Sequence, residues 1–406
     1  MNICVAGKNN IAVDVLSFLN ENNNGRYELC AVCNDSRKEI IGFQKSLFSF
    51  AKKHNIPIVK LEETYGMRDL IFLSMEFDRI IKPNLFCDAR LYNIHFSLLP
   101  AYKGMYTSAI PILNGERFTG VTFHRIDSGI DSGEIISQSK IPILDNDTAR
   151  DLYIKYNIEG ARLVIDNIES VIEGREKSYK QPYDGASYYP KGYIDYENLK
   201  ININTVAQQV ERQIRAFSFR EYQMPYFNGV PICGCEIAED ISGEKAGKVL
   251  FEDQSKICVT TIDYNVILYK DRFEELLKAC ENGDLDKVKE ICTVGTNIIN
   301  SQNSFGWTPL IVARYNNNVK VVEYLISIGA DINKTNYNGT NLLMYAKEAY
   351  IRTGDRTLFD LFVKKGLNCG NKDFYGKNVI DYIKEQGVNE LLLPHYQYNH
   401  MQSEKE

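Results

Sequence analysis

Over the first 180 positions, short apolar runs alternate with stretches of helical period. The runs Met1–Gly7, Tyr27–Cys33, Ile56–Val59, Leu70–Leu73, Ala89–Ile94, Phe118–Ile126 and Glu134–Ile143 predict seven strands. Between them, helices are expected over Ile11–Asn20 (apolar face Val13, Leu16, Leu19), Phe43–Lys53 and Thr107–Leu113. A longer one over Thr148–Glu173 carries its apolar stripe through Leu152, Ile158, Leu163 and Ile168. Strands alternating with helices call for an α/β domain, a parallel or mixed Rossmann-like sheet covered on both faces, with ligands at the carboxyl ends of its strands. From Lys180 to Lys270 the pattern changes to a helix ending I-R-A-F-S-F and then a short β-rich stretch. From Phe273 onward the chain repeats: Gly306-Trp307-Thr308-Pro309-Leu310 is answered by Gly339-Thr340-Asn341-Leu342-Leu343, and Gly329-Ala330-Asp331-Ile332-Asn333 has partners near Gly295 and Gly366. Domains are expected at 1–179, 180–270 and 271–398, with a polar tail at 399–406.

A chain of 406 residues is too long for one ordinary domain. With 44% hydrophobic and 25% charged residues it can bury a substantial core. A net charge of -6 argues against a broadly basic nucleic-acid surface, so anionic ligands must be met by local cations. No apolar run reaches the ~18 residues of a membrane span. Met1 leads straight into a strand-like run, so no signal peptide is expected and the ten cysteines are read as thiols of a reducing cytoplasm. Cys30 with Cys33 and Cys233 with Cys235 have spacings that can hold zinc, but each pair lies in a strand-like stretch without further ligands, which favours core cysteines and no metal.

Chemistry concentrates between Leu91 and Glu134. Asn93, His95 and Ser97 are alternate residues on one side of an extended segment, and Asp131 follows in the turn D-S-G-I-D-S-G, where Gly129 and Gly133 are expected to supply the unusual dihedrals. An imidazole can take a proton from an attacking amine, a carboxylate can orient it, and a carboxamide can donate to an oxygen that gains charge; together these are tools for acyl transfer. No serine or cysteine elbow is present, which favours direct attack by the acceptor amine. After the first strand, G-K-N-N is a tight turn at a helix start but not G-x-G-x-x-G, so Lys8 and Asn9 suit a substrate diphosphate better than a dinucleotide.

N-I-H-F-S-L-L-P followed by D-S-G-I-D-S-G-E-I-I resembles the signature of the folate-dependent formyltransferases, over roughly residues 1 to 180. The resemblance implies 10-formyltetrahydrofolate as donor and Asn93, His95 and Asp131 as the catalytic set. It also implies a pterin slot bordered by Met75, Phe77, Ile80 and Asp127, and an acceptor met by Lys103 and the backbone near Met105 and Tyr106. His124 is read as structural. Arg215, Arg220, Tyr222 and Gln223 offer cations, an aromatic face and an amide within nine residues, and similar segments occur in enzymes that formylate dTDP-linked amino-dideoxysugars. A tRNA-directed member would call for a basic carboxyl-terminal domain, which the acidic balance does not supply.

The expected function is therefore formylation of a dTDP-linked 3-amino-3,6-dideoxyhexose for bacterial surface polysaccharide, by a homodimer joined through the β-rich segment. A 4-amino sugar is the alternative, and a non-catalytic scaffold is the alternative of a different class. The repeats resemble ankyrin repeats, about four in number, with an interval four residues longer around Thr353 to Arg356. A protein partner is their default ligand, and Trp307, the sole tryptophan, suggests a second nucleotide-sugar site.

Overall fold

The computed structural model describes residues 1–34, 42–241, 243–292 and 298–392. The expected tail and the repeat partner at Gly295 lie outside the described residues. Contacts divide the chain into two compact units, Met1–Asn228 and Gly229–Glu406, so the expected middle segment is shared between them.

In the first unit the elements run β1 (Asn2–Gly7), α1 (Asn9–Glu21), β2 (Glu28–Cys33), α2 (Leu47–Lys53), α3 (Leu61–Thr64), β3 (Leu70–Met75), β4 (Ala89–His95), β5 (Lys103–Gly104), α4 (Ile110–Leu113), β6 (Phe118–Arg125), β7 (Ile135–Pro142), α5 (Ala149–Ile172), β8 (Tyr188–Tyr189), α6 (Ala207–Phe217) and β9 (Tyr226–Phe227). Six strands form one sheet in the order β2-β1-β3-β4-β6-β7. The sheet is mixed: β2, β1, β3 and β4 are parallel, while β6 runs against both β4 and β7. The loop from Ile126 to Glu134 is too short for a crossover helix, so β6 and β7 pair as antiparallel neighbours.

The run at Ile56–Val59 makes only a single bridge, Ile58 beside Ala31, because Pro57 between its neighbours has no N–H with which to continue a ladder. Helix α2 starts at Leu47, where the Ser46 hydroxyl accepts from Ser49 N, and not at Phe43; α4 is confined to Ile110–Leu113. The long helix α5 opens with a capping box between Thr148 and Asp151. It buries Leu152, Leu163 and Ile168 as expected, but Ile158 is 62% exposed. The packing face is centred instead on Asn157 and Gly160: Asn157 Oδ1 accepts from Ile11 N, and a Cβ at Gly160 would stand 2.8 Å from Ile11 Cδ1. Ile158, a step of ~100° round the helix from Asn157, turns outward.

In the second unit β10 (Val230–Ile241), β11 (Val249–Glu252), β12 (Lys256–Thr260) and β13 (Tyr264–Lys270) pair antiparallel in the order β11-β12-β13-β10. Helices α7 (Phe273–Asn282), α8 (Leu285–Cys292), α9 (Pro309–Tyr315), α10 (Val319–Ser327), α11 (Leu342–Thr353), α12 (Thr357–Lys364) and α13 (Val379–Glu385) follow. The repeated T-P-L position is a helix cap: the side chains of Thr308, Asn341 and Asn378 accept from Ile311 N, Met344 N and Asp381 N. Each turn before a cap is held by one side chain, with Asn303, Asn336 and Asp373 accepting from the backbone N–H groups two and four residues on. The longer third interval is absorbed by α11, twelve residues against seven in α9. About one added helical turn keeps the apolar stripe in phase.

Candidate active site

The carboxyl ends of β1, β3 and β4, the loop after β6 and the β5–β8 pair surround a cavity of about 700 Å³. Asn93, His95 and Asp131 all line it, so three side chains from well-separated positions meet in one place. Asn93 and His95 point the same way from β4, as alternation requires, and β6 supplies His124 directly opposite Asn93. Asp131 lies on the loop after β6 with φ 51, so the left-handed residue of this turn is the aspartate itself. The flanking glycines serve close approach instead: a Cβ at Gly133 would stand 1.8 Å from the Arg125 carbonyl, and one at Gly129 would stand 2.1 Å from Ser132 Oγ. Gln181 fixes the loop from outside, its Nε2 donating to the carbonyls of Asp131 and Gly133, each at 2.8 Å.

The ring of His95 is buried, with an acceptor at each nitrogen. Nε2–H donates to the Tyr102 carbonyl at 2.8 Å, and Nδ1 faces Asp131 Oδ2 at 3.5 Å. Only a ring carrying two N–H groups satisfies both sides, so accepting a proton completes its bonding. Asp131 Oδ2 also accepts from Gly104 N at 2.9 Å, which anchors the carboxylate independently of the ring.

His124 has a different part. Its Nδ1–H donates to the Arg125 carbonyl at 2.8 Å and its Nε2 accepts from Asn93 Nδ2 at 3.1 Å, which orients the carboxamide. Burial pushes its pKa down to about 4, against the raising pull of Asp131, so the ring is neutral near pH 7. Between roughly pH 6.5 and pH 4 the unfolded chain binds a proton that the folded ring refuses, so stability falls as pH falls through that window. His124→Gln keeps an acceptor for Asn93 and is expected to flatten the slope of melting temperature against pH there; an unchanged slope would clear the ring of that role.

The remaining expected residues divide. Lys8, Phe77, Ile80, Met105, Tyr106 and Asp127 line the cavity, and Ile81, Ile126 and Ile130 extend its apolar wall. Met75 does not: it is fully buried in the core beneath. Asn9 turns to Glu76 and Tyr153, to which its Nδ2 donates at 3.1 and 2.8 Å. Lys103 sits on β5 outside the lining. Arg215 pairs with Glu211 on the same helix and donates to the Asp147 carbonyl, which ties α6 down rather than presenting a cation to the cavity. Arg220, Tyr222 and Gln223 lie on a tight loop closed by Phe219–Gln223 backbone bonds and clamped by the Arg150–Glu221 ion pair. Tyr222 packs there on Phe219 and Phe43 at 4.7 and 5.7 Å. In the second unit Trp307 packs against Tyr315 and Tyr345 at 5.2 and 5.9 Å.

Residues that spacing did not reveal also reach the cavity, namely Ser74, Glu76, Tyr188 and Lys191. Tyr188 arrives because β8 pairs parallel with β5, joining positions far apart in the chain. Among the described residues no group of three or more His, Cys, Asp or Glu side chains is arranged to hold a metal ion. Cys30 lies opposite Cys4 across β2 and β1.

A family model described as Formyl transferase matches residues 54–168, and one described as Ankyrin repeats (3 copies) matches residues 276–373. The crystal structure of WlaRD, a sugar 3N-formyl transferase in the presence of dTDP and 5-N-formyl-THF, is 42% identical with a TM-score of 0.61, over 67% of this chain and 98% of that one. An N-formyltransferase from Helicobacter canadensis, in complex with folinic acid and dTDP-3-aminofucose, is 39% identical with a TM-score of 0.61, over 66% and 99%. The methionyl-tRNA formyltransferase of Pediococcus pentosaceus is 27% identical over 232 residues, 53% of this chain and 71% of its own. Identical at about two-fifths of the aligned positions to two sugar-modifying enzymes across nearly their whole length, the chain belongs to the formyl transferase family, as a sugar N-formyltransferase with an ankyrin-repeat extension.

Proposed function

We propose that this enzyme moves a formyl group from 10-formyltetrahydrofolate to the amine of a dTDP-linked 3-amino-3,6-dideoxyhexose, in the cytoplasmic synthesis of a bacterial surface polysaccharide. The observation that carries the chemistry is the meeting of Asn93, His95 and Asp131 on one cavity. The choice of a 3-amino sugar is supported by the two similar enzymes, one a 3N-formyl transferase and the other bound to dTDP-3-aminofucose.

Phe77, Ile80, Ile81, Ile126 and Ile130 give the cavity an apolar side that fits a flat pterin, with Asp127 beside them. The folate supplies the formyl group in activated form. Asn93 directs an amide N–H at the formyl oxygen, which gains negative charge as the amine adds. His95 takes the proton that the amine loses on forming its new C–N bond, and Asp131 stabilises the resulting imidazolium. That proton returns to the nitrogen on which the formyl group arrived as the old C–N bond breaks. Holding both substrates in register contributes several kcal/mol to lowering the barrier.

On the acceptor side, Lys8 meets a phosphate and the Tyr222 face meets the base. The ankyrin part either binds a protein or takes a second nucleotide-sugar on Trp307, whose aromatic neighbours offer a stacking surface. One isothermal titration with the dTDP-sugar separates these roles. Tyr222→Ala is expected to weaken the catalytic site by ~10-fold, and Trp307→Ala is expected to remove a second binding event. Unchanged affinity in the first would take Tyr222 out of the site, and a single event in wild type would end the second-site reading in favour of a protein partner.

A homodimer fits the exposed edge strand β11, where Val249, Leu250 and Phe251 are each more than a third exposed. Sedimentation of Phe251→Lys as a monomer would support that edge as the contact, and an unchanged dimer would exclude it.

A further inference from the structure

Glu76 stands at the cavity wall outside the catalytic set. It follows β3 directly and holds φ 55, a left-handed conformation that a non-glycine residue rarely adopts. Its surroundings enforce that position. A Cβ on Gly7 would stand 1.8 Å from the Met75 carbonyl, so β1 and β3 press together just before it, and Lys8 N donates to that same carbonyl at 3.2 Å. Asn34 Nδ2 donates to the Glu76 carbonyl at 3.1 Å.

The carboxylate is bonded on one side only. Oε2 accepts from the Tyr153 hydroxyl at 2.7 Å and from Asn9 Nδ2 at 3.1 Å, whereas Oε1 accepts from nothing among the described residues and the side chain lines the cavity. Burial raises its pKa, opposed by the Tyr153 and Asn9 bonds and the charge of Lys8. A strained, half-buried carboxyl with one oxygen held and the other turned to a ligand cavity is an acceptor prepared for a donor from outside the chain.

The sheet says where that donor lies. β3 and β4 are parallel neighbours whose ladder ends with Met75 opposite Ile94, so Glu76 and His95 are the next residues at one end of the sheet, and both line the cavity. With its amine at His95, a sugar presents a hydroxyl on a neighbouring carbon to the adjacent strand end. Ile126 and Ile130 of the apolar wall lie on the loop after β6 and Phe77, Ile80 and Ile81 follow Glu76 on its own loop, whereas the Glu76 carboxylate turns to Asn9 and feels the charge of Lys8.

Resting on the acceptor assigned above, we propose that Glu76 is a specificity residue for the sugar, its Oε1 accepting a hydrogen bond from a hydroxyl that flanks the amine-bearing carbon. The test uses the full-length enzyme, 10-formyltetrahydrofolate, the dTDP-3-amino-3,6-dideoxyhexose, and its analogues lacking the 2- or the 4-hydroxyl. In wild type one of the two analogues is expected to lose ~10-fold or more in kcat/KM, the worth of a hydrogen bond to a charged acceptor. In Glu76→Ala the parent sugar should drop to the level of that analogue, the two then reacting within ~2-fold, and the KM for the folate should stay unchanged.

The same penalty in wild type and variant, or no penalty for either analogue in wild type, overturns the assignment. If Glu76→Ala does not melt cooperatively, Glu76→Gln is read in the same way, since it keeps the volume of the side chain. A wild-type enzyme that formylates no dTDP-amino sugar would refute the proposed function itself, whereas an active wild type matched by its Glu76 variants refutes only the role of this carboxylate.

Discussion

Replacing His95 by alanine is expected to lower formyl transfer by ~1,000-fold, within the usual span for loss of a general base, while dTDP-sugar binding stays within ~2-fold. The imidazole lines the cavity with an acceptor at each nitrogen, Tyr102 O on one side and the Asp131 carboxylate on the other. Without it the amine must give up its proton to water, while the Asn93 amide still faces the formyl oxygen, so residual activity should reflect positioning and the oxyanion donor alone. The measurement is single-turnover formylation beside equilibrium binding of the nucleotide-sugar. More than a tenth of wild-type turnover would remove His95 from the proton path.

Asp131→Asn makes the second large effect, by removing the charge that faces the ring. An asparagine can still accept from Gly104 N through its oxygen, so the loop should keep its shape. That same oxygen faces His95 Nδ1, so the ring meets a neutral carbonyl in place of a carboxylate, while Nε2–H remains on the Tyr102 carbonyl. A second proton on the ring then has no countercharge. A loss in kcat of ~100-fold to 10,000-fold follows, with either KM changed by less than ~3-fold. Retention of a tenth of the activity at an unchanged melting temperature would show that the carboxylate is not needed to hold the imidazolium.

Why these three residues were legible from sequence, and others were not, has a physical basis. Asn93 and His95 announce themselves because alternation on a strand is a local rule and their strand ends the buried apolar run. Asp131 was legible through its turn, although the dihedral assigned to Gly129 and Gly133 belongs to the aspartate and the glycines relieve contacts instead. Glu76 and Tyr153 come together across 77 positions, and no local rule predicts that. The Tyr188 wall likewise depends on pairing between β5 and β8, two-residue strands too short to leave a pattern.

Arg215 is an instructive miss. Seen alone it is a cation near aromatics, but Glu211 lies four residues earlier on the same helix, and such pairs satisfy each other locally. Ile158 failed for a related reason: a helical period fixes the stripe, and the partners Ile11 and Ile94 decide which edge of the stripe is covered. The repeats were easier, because each unit carries its own cap and turn side chain, and a four-residue insertion in a helix leaves the phase intact.

The deciding measurement is mass-spectrometric assay of the purified full-length chain with 10-formyltetrahydrofolate and a set of dTDP-amino sugars. The expected result is a product heavier by one formyl group, formed fastest from a dTDP-3-amino-3,6-dideoxyhexose and ~1,000-fold more slowly with His95→Ala. A chain that binds folate and nucleotide-sugar yet adds a formyl group to none of them would contradict it and leave a scaffold built on an inactive transferase fold.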